Sequence, residues 1–589
     1  MKAMFIGNAA ALLCLASAAS ATDTFSIAVI PDTQRYSENG TRGSAVTFET
    51  MTQWILDNQG SRNIRFATHV GDVVENARDL PQWTNARRAM DRLDGRIPWA
   101  VLPGNHDLVD QRTELGSLEY QRNFGSQRFM AAGYTWFGGT SPNNNATWQV
   151  IDVGGGQKLL NISLEWGTFN SSVGWAKKVI DKHAGMPTLI TTHAYITDDA
   201  LTSPRGVGGR SGRGGNHGDF LWNGLVRDNP QIFAVVNGHF YSQRAEVAVQ
   251  DRGQFHQTSL NAAGQPVYEM LSNYQGYSDG GAGNLRLLTF NATTKRLEVE
   301  TVTTPNPSAS PTNARAKFDF ALPDFKDPNR FPVAPERQTG TVTLTQSTAT
   351  YISKAQPDAS FGADALVRVS PDVAGATQGL LKFSGLDQIP AGATIISARL
   401  VVDTKVAGDG AQFLRMNRAW DEAATWNTFA GDGLGGIQTS DAGPLVGEAF
   451  WNRWTDVAVT DVTIPGQQTV YPFGLAVNWD AQAGPMGLGA SYIDVTESVE
   501  AWVNGAANNG WLVRAPFSTS ENEPFFAGPG LPGFGVEFTT QSWAFASENG
   551  TMQPQLVIFY SMVPEPGMLV LLSLGLVVVL VGSRHARQE

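Results

Sequence analysis

Residues with metal-ligand chemistry recur just after short apolar runs in the first half of the chain. Asp32 follows Phe25–Ile30, Asp72 follows Ile64–Val70, and Asn105, His106 and Asp107 follow Pro98–Leu102. His193 comes after Thr188–Thr192 and His239 after Phe233–Val236. Ligand sites in open α/β sheets lie beyond the carboxyl ends of strands, so distant segments can deliver side chains to one place. Asp32, Asp72, Asn105, His193 and His239 together offer hard oxygens and imidazoles, a set suited to Mn²⁺, Fe or Zn²⁺. Two such metals about 3.5–4 Å apart, bridged by one carboxylate, clamp a phosphate and generate hydroxide near neutral pH.

The elements that must hold these residues alternate in type. Phe25–Ile30 and Ile64–Val70 are short β-rich runs. Between them, Val46–Asn58 has helical spacing, with Phe48, Met51 and Ile55 on one side. A further helix is expected over Gln82–Leu93, and strands over Pro98–Leu102, Leu159–Leu164, Thr188–Thr192 and Phe233–Val236. This order predicts an α/β sandwich with a parallel or mixed sheet over residues 22–302.

At its ligand residues the chain resembles the calcineurin-like metallophosphoesterases, whose motifs run D-x-H, G-D, G-N-H-D/E, H and G-H-x-H. Here they stand as Asp32-Thr33-Gln34, Gly71-Asp72, Gly104-Asn105-His106-Asp107, His193 and Gly238-His239-Phe240-Tyr241. The resemblance implies an αββα sandwich, two divalent or trivalent metal ions (Mn, Fe or Zn), a phosphate ester substrate and attack by metal-activated hydroxide. It implies Asp72 as the bridging carboxylate, with Asn105, His193 and His239 completing one metal position and Asp32 in the other. It also implies a catalytic His106, paired with Asp107, that faces the substrate and protonates the leaving alcohol. Two residues depart from the pattern. Gln34 and Tyr241 stand where the family has histidines, both at the second metal position. Gln34 can still offer a carbonyl oxygen, and Tyr241 only a tyrosinate whose pKa near 10 makes it a costly ligand. The expectation is one firm metal position and one weaker, oxygen-rich one.

Other polar residues carry blander readings. His69 is expected as a hydrogen-bonded core histidine, His183 as a helix-end residue, and His256 has no motif around it. The Gly-rich segment Thr202–Asp219, with Arg205, Arg210, Arg213 and His217, either borders the cleft and meets phosphate or is a surface loop. Tyr274 and Gln275 either line the site or close the edge of the sandwich.

The whole chain has 589 residues, and its 42 Lys plus Arg against 54 Asp plus Glu give a net charge of −12. An acidic chain offers no general field for nucleic acid, so no stable nucleic-acid partner is expected. With 42% hydrophobic residues, 16 Trp and 30 Phe it can bury sizeable cores. The single cysteine, Cys14, excludes a disulfide framework. Residues 1–21 read as a secretory signal peptide: Lys2, an apolar stretch, then Ala19-Ser20-Ala21. At the other end, residues 563–589 hold Pro564-Glu565-Pro566, an apolar run Met568–Gly582 and a basic end with Arg584 and Arg587. This tail resembles the PEP-CTERM sorting signal. The resemblance implies processing by an exosortase and delivery to the surface, outer membrane or matrix of a Gram-negative bacterium. The apolar run is expected as a transmembrane helix, although its fifteen residues cover only about 22 Å of a roughly 30 Å hydrocarbon core.

Residues 303–340 are Pro-rich and are expected as a linker. From 341 to 562, short apolar stretches such as Leu380–Phe383 and Ile395–Val402 are split by Gly, Asp and Pro, which predicts a β-sandwich. The phrases YISKAQPDASFGADALVRVS, LLKFSGLDQIPAGATIISARLVV, RAWDEAATWN and WVNGAANNGW resemble DNRLRE-type, jelly-roll-like sandwiches, a family that includes carbohydrate-binding modules. That implies an extracellular polysaccharide as a partner, while Trp420, Trp426, Trp451, Trp454, Trp502 and Trp511 are expected mainly as core. The function expected is an exported metal-dependent hydrolase of phosphate mono- or diesters. The alternative is a surface or matrix polysaccharide-binding protein whose phosphoesterase fold has lost turnover.

Overall fold

The computed structural model describes residues 24–108, 117–168, 170–198, 205, 218–245, 247–332, 337–370, 375–408, 410–429, 436–437, 441, 481–483, 486–515 and 542–563. The expected signal peptide, all of the expected PEP-CTERM segment beyond Val563 and most of Thr202–Asp219, including His217, Arg210 and Arg213, lie outside the described residues, as do Trp451 and Trp454.

The N-terminal body has strands β1 (Thr24–Ile30), β2 (Ile64–His69), β3 (Trp99–Ala100), β4 (Phe137–Thr140), β5 (Thr147–Gly154), β6 (Gln157–Leu164), β7 (Thr188–Thr192), β8 (Ile232–Asn237), β9 (Gln254–Leu260), β10 (Pro266–Ser272), β11 (Asn284–Asn291), β12 (Arg296–Thr303) and β13 (Lys317–Ala321). Its helices are α1 (Gln34–Glu38), α2 (Ala45–Asp57), α3 (Leu80–Met90), α4 (Leu118–Phe124), α5 (Ser126–Ala131), α6 (Asn170–Lys182) and the short α7 (Asp219–Leu221). One sheet has the order β13-β12-β11-β1-β2-β3 and the other β4-β5-β6-β7-β8-β10-β9. The central pairs β1/β2, β2/β3, β6/β7, β7/β8 and β8/β10 are parallel. β1 and β8 are apolar almost throughout because both their faces are buried, as parallel strands between layers require.

The two sheets face each other across one core. Ile27, Val29 and Phe66 of the first meet Leu189, Phe233 and Val236 of the second. The Thr68 and Thr191 hydroxyls bond across the gap at 3.1 Å. On the outer face of the first sheet lie α2 and α3, with Phe48, Met51 and Trp83 inward. The Ser44 hydroxyl caps α2 by accepting the Val46 N–H. α6 covers the second sheet through Val173, Trp175 and Ala176. The layers are therefore helix, sheet, sheet, helix. Strands β1, β2, β3, β6, β7 and β8 match the sequence expectation closely, but β4, β5 and β9 to β13 had no clear signal.

β13 corrects part of the linker reading. Residues 317–321 pair antiparallel with β12. Phe318 stacks on His256 at 3.8 Å and Phe320 on Tyr268 at 4.3 Å. Beyond it, the Arg330 guanidinium donates to the carbonyls of Ile232 at 3.2 Å and Pro266 at 2.7 Å. An edge strand with two inward aromatics is too short to show a period among so many prolines.

The C-terminal part is all β. Among the described residues it comprises β14 (Gln338–Leu344), β15 (Ser347–Ser353), β16 (Leu366–Val369), β17 (Thr377–Phe383), β18 (Thr394–Val406), β19 (Ala411–Arg415), β20 (Ala481–Ala483), β21 (Gly489–Asp494), β22 (Trp511–Arg514), β23 (Trp543–Ala546) and β24 (Gln555–Met562), with one α-helix, α8 (Thr496–Val503). One sheet runs β14-β24-β18-β23-β16, with β21 also on β18, and the other β15-β17-β22-β19-β20. Leu344, Val367, Leu400 and Phe545 of the first share one core with Leu381, Phe413 and Trp511 of the second. Trp420, Trp502, Trp511 and Trp543 are all buried, so these tryptophans are core.

Among the described residues no helix is long and apolar enough to cross a membrane. This corrects the expectation of a transmembrane helix; the run 568–582 that prompted it lies outside the described residues and is short for a span.

Candidate metal centre

The ligand residues sit where their strands stop, and the backbone there is unusual. Asp72 and His239 both have left-handed backbone, with φ of 54° and 67°. Such conformations cost non-glycine residues about 1–3 kcal/mol each and persist where surrounding structure enforces them, often at functional sites. Two glycines make the approach possible. A Cβ on Gly104 would collide with the Asp72 backbone and carboxylate, and one on Gly238 with the Asp32 carboxylate. Asp32 in turn accepts the His239 N–H, at 3.0 Å to Oδ2, which ties the end of β1 to the end of β8.

The side chains converge on one buried point. His193 donates from Nδ1 to the Val70 carbonyl at 2.8 Å, which leaves Nε2 facing inward. Nε2 lies 3.2 Å from Asp72 Oδ1, 3.1 Å from Asn105 Oδ1 and 3.2 Å from His239 Nδ1. Ligand atoms of Asp72, His193 and His239 all fall within 4.8 Å of one another. On the other side of Asp72, Gln34 Nε2 donates to Asp72 Oδ2 at 3.2 Å. The Gln34 Oε1 is buried with no hydrogen-bond partner among the described residues. Lone pairs that face each other across 3 Å, next to an unsatisfied buried carbonyl, suit a cation. The residues present therefore fit a metal, and they fit it best on the Asp72–Asn105–His193–His239 side.

Electrostatics mark the same point. Burial pushes the Asp32 carboxyl well up, and the Asp72 charge adds to that. Burial would also raise Asp72, but His193 overcomes it and, with His106 and His239, holds Asp72 well below the usual carboxylate range. His193 itself would be lowered by burial, yet Asp72 and Asp32 lift it to about 9. A site that retains protons on its imidazole between buried carboxylates is one that a metal cation can neutralise instead.

His106 stands at the rim, with about a third of its side chain exposed. Its N–H donates to Asp72 Oδ1 at 2.9 Å, and its Nδ1 donates to the Glu75 carbonyl at 2.8 Å. Nε2 therefore has no hydrogen bond among the described residues. Burial lowers the ring's pKa, but Asp72 and Glu75 outweigh that and raise it. The Glu75 carboxylate is held in turn by Arg35, Nη1 to Oε1 at 2.6 Å. Glu75, three residues past Asp72, was missed from the sequence, where a carboxylate at that spacing was the available signal.

Asp107 is corrected. It makes no hydrogen bond to the His106 ring among the described residues, although its charge adds to the rise in that ring's pKa. Its carboxylate is fully buried and accepts the Val74 N–H at 2.9 Å and the Gly104 N–H at 2.8 Å. It staples the Asp72 loop to the Asn105 loop, and it is a positioning residue rather than a catalytic one. Burial and the Asp72 charge push its pKa up to about 7.

Tyr241 is not brought into the cluster by any hydrogen bond among the described residues. Its ring lies against Gly253 and Gly276 and edge-on to Tyr277 at 6.4 Å. His69 is the satisfied core histidine its context implied: Nδ1 accepts the Gly71 N–H at 3.1 Å and Nε2 bonds the Thr33 hydroxyl at 2.9 Å. His183 bonds the Val179 carbonyl at 2.8 Å and packs on Trp148. Tyr274 is buried and bonds Thr301 at 2.9 Å, so it closes the sheet edge rather than lining the site. Arg205 sits over the Trp222 ring at 4.0 Å, beside Glu269. Trp166, for which no motif exists, forms a wall of the centre, 5.6 Å from the His193 ring and 4.6 Å from the His239 ring.

Comparison with known proteins gives an independent view. The family profile of calcineurin-like phosphoesterases matches residues 25–242. A protein of Bacillus subtilis (strain 168), "Uncharacterized protein YvnB", is 31% identical over 284 residues, covering 48% of this chain and 20% of the relative. The chain thus spans about a fifth of the length of the curated relative it matches. Among solved structures, purple acid phosphatase PPD1 from yellow lupin seeds is 13% identical, with a TM-score of 0.31, over 51% of this chain and 54% of its own. TT1561 of Thermus thermophilus is 11% identical, with a TM-score of 0.28, over 48% of this chain and 99% of its own. Likeness at that level says nothing about substrate. The profile match spans the strand-end ligand cluster: residues 25–242 are similar to the calcineurin-like phosphoesterases and carry Asp72, His193 and His239 together.

Proposed function

We propose that this chain is an exported metal-dependent phosphoesterase that hydrolyses phosphate mono- or diesters. The single observation that carries the reading is the convergence of Asp72, Asn105, His193 and His239 on one buried point, with His106 at its open rim. Asp72, Asn105, His193 and His239 would hold one metal, and Asp32, Asp72 and Gln34 a second. Bound there, the metals would supply Lewis acidity toward the phosphoryl oxygens and a nucleophile at neutral pH. The protein's own part is positional. Val70 fixes the His193 tautomer, Asp107 locks the two ligand loops together, and Glu75 fixes His106 with Nε2 outward. A proton held at His106 Nε2 is placed to pass to the leaving oxygen, as a general acid requires.

The remaining parts of the reading rest on sequence. The N-terminal leader supports export. The C-terminal Pro-Glu-Pro segment supports sorting by an exosortase to the surface or matrix, and the DNRLRE-like phrases support contact with an extracellular polysaccharide. A second reading, a binding protein without turnover, is favoured by one observation: Tyr241 packs on Gly276 rather than on the ligands.

The test is hydrolysis of paired chromogenic phosphate monoester and diester substrates by the full chain with Mn²⁺, Zn²⁺ or Fe supplied, alongside elemental analysis. Turnover lost in Asn105→Ala is the expected result, and the substrate ratio gives the class. No turnover above that variant with any metal, at one metal or none per chain, would overturn the enzyme reading in favour of the binding protein.

A further inference from the structure

The edge strand of the second sheet, β4, leaves backbone groups that β5 does not use. Exposed edges of this kind are templates for wrong pairing and are usually covered. Here the all-β region covers this one. Asp494, at the end of β21, divides its carboxylate between the two bodies. Oδ1 accepts the Thr496 N–H at 3.0 Å and its hydroxyl at 2.6 Å, within its own body at the start of α8. Oδ2 accepts the Thr140 N–H of β4 at 2.9 Å. Arg399 of β18 donates to the Phe137 carbonyl of the same strand at 3.1 Å. The contact requires Gly139, because a Cβ there would collide with Asp494 Oδ2.

Two further elements join the same seam. Gln127 of α5 forms a two-way bridge to β21, donating to the Ala490 carbonyl at 3.3 Å and accepting the Tyr492 N–H at 2.7 Å. Along α6, Lys178 pairs with Glu497 of α8, and Lys182 pairs with Glu500 at 3.3 Å. Tyr492 packs against the first body's helical core and Ile396 against the core beneath α6. Asp494 and Arg399 are both half-buried, which makes this more than a surface touch. Polar groups withdrawn from water in this way hold one geometry, because a lost partner leaves the other unsatisfied.

We propose that the all-β region is an integral cover for the β4 edge of the phosphoesterase domain, so that the two bodies form one cooperative unit rather than a domain and a tethered module. The interface is matched on both sides: backbone groups of β4 meet side chains of β18 and β21, and the lysines of α6 meet the glutamates of α8. The proposal is independent of whether the metal centre turns over.

The test uses the full chain and reads each body's response to a change in the other. Hydrogen exchange is followed by mass spectrometry in the wild type, in Asp494→Asn and in Gly139→Ala. Asp494→Asn keeps an acceptor for α8 but turns an N–H₂ toward Thr140. The expected result is reciprocal: Asp494→Asn speeds exchange in peptides spanning 137–140, and Gly139→Ala speeds exchange in peptides spanning 489–503. As a milder pair, Lys178→Glu with Lys182→Glu lowers the thermal midpoint, and adding Glu497→Lys with Glu500→Lys restores it. Calorimetry of the wild type shows a single transition. Effects confined to the mutated body, or two separate transitions in the wild type, overturn the proposal.

Discussion

Asp107 offers the sharpest discrimination between a residue that does chemistry and one that holds the loops that do. Its carboxylate accepts two backbone N–H groups, Val74 at 2.9 Å and Gly104 at 2.8 Å, in a fully buried place. Truncation to alanine leaves both donors without partners. Each orphaned buried donor costs about 1–3 kcal/mol, so the pair costs about 2–6 kcal/mol. Some of that is offset, because burial and Asp72 already push the Asp107 carboxyl up to about 7 and the buried charge is relieved. We expect Asp107→Ala to lose about 2–4 kcal/mol. Asp107→Asn keeps one acceptor and orphans one donor, so it should lose about half as much. The assay is urea unfolding followed by tryptophan fluorescence, with the midpoint change multiplied by the wild-type slope. Metal content is measured on the same samples. Because Asp107 joins the Asp72 and Asn105 loops, metal retention should fall in parallel with stability. Full stability and full metal content in Asp107→Ala, with activity alone lost, would refute the staple and return Asp107 to a role in proton transfer.

Two further outcomes follow from the same geometry. Gln34→Met removes a buried carbonyl oxygen that has no protein partner among the described residues, and with it the N–H that donates to Asp72 Oδ2, so the metal-free protein should lose about 1.5–3 kcal/mol, the worth of a hydrogen bond to a charged group; elemental analysis should show the metal content fall toward one equivalent, and two retained equivalents would count against a ligand role. His183 is half-buried against Trp148, where burial and then the Lys182 charge lower its pKa to about 4. Its folded pKa lies below the unfolded value of about 6.5, so its share of stability is complete above pH 6.5 and lost as pH falls toward 4. That share amounts to about 3 kcal/mol at most. Urea midpoints from pH 7 to 4.5 should fall less steeply in His183→Gln than in the wild type, and parallel curves would show that His183 does not carry this dependence.

Much of the centre was legible in the sequence. Asp32 and His239 follow strands that read as nearly continuous apolar runs, because parallel strands buried on both faces leave little polar period to confuse them, and Asp72, Asn105 and His193 follow short runs rich in apolar or β-branched residues. The parallel strands β1, β2, β7 and β8 were foreseen to within two residues at either end. β4, β5 and β9 to β13, whose pairings are antiparallel except for β10 with β8, were not. Many are half-exposed or interrupted by Gly and Pro, and their pairing partners lie up to 267 residues away, as for Thr24 with Asn291. The reading of 303–340 as a linker missed β13 for that reason: KFDFA is a strand only because β12 is there to receive it.

The order of residues alone supplies the kinds of atoms available and the loops that carry them: two carboxylates, an asparagine and two imidazoles at strand ends, with a glutamine where a histidine was expected. Residue chemistry and strand periodicity are local properties, and local properties are readable without a fold. Tertiary structure decided which atom faces which. His193 turns Nε2 inward because the Val70 carbonyl takes Nδ1, and His106 is oriented by Glu75 rather than Asp107. Tyr241 turns onto Gly276, and Asp494 reaches across to Thr140, 354 residues earlier. Each of these choices depends on a hydrogen-bond or packing partner brought near only by folding. Buried polar groups take whichever partner the packing supplies, and no spacing along the chain encodes that in advance.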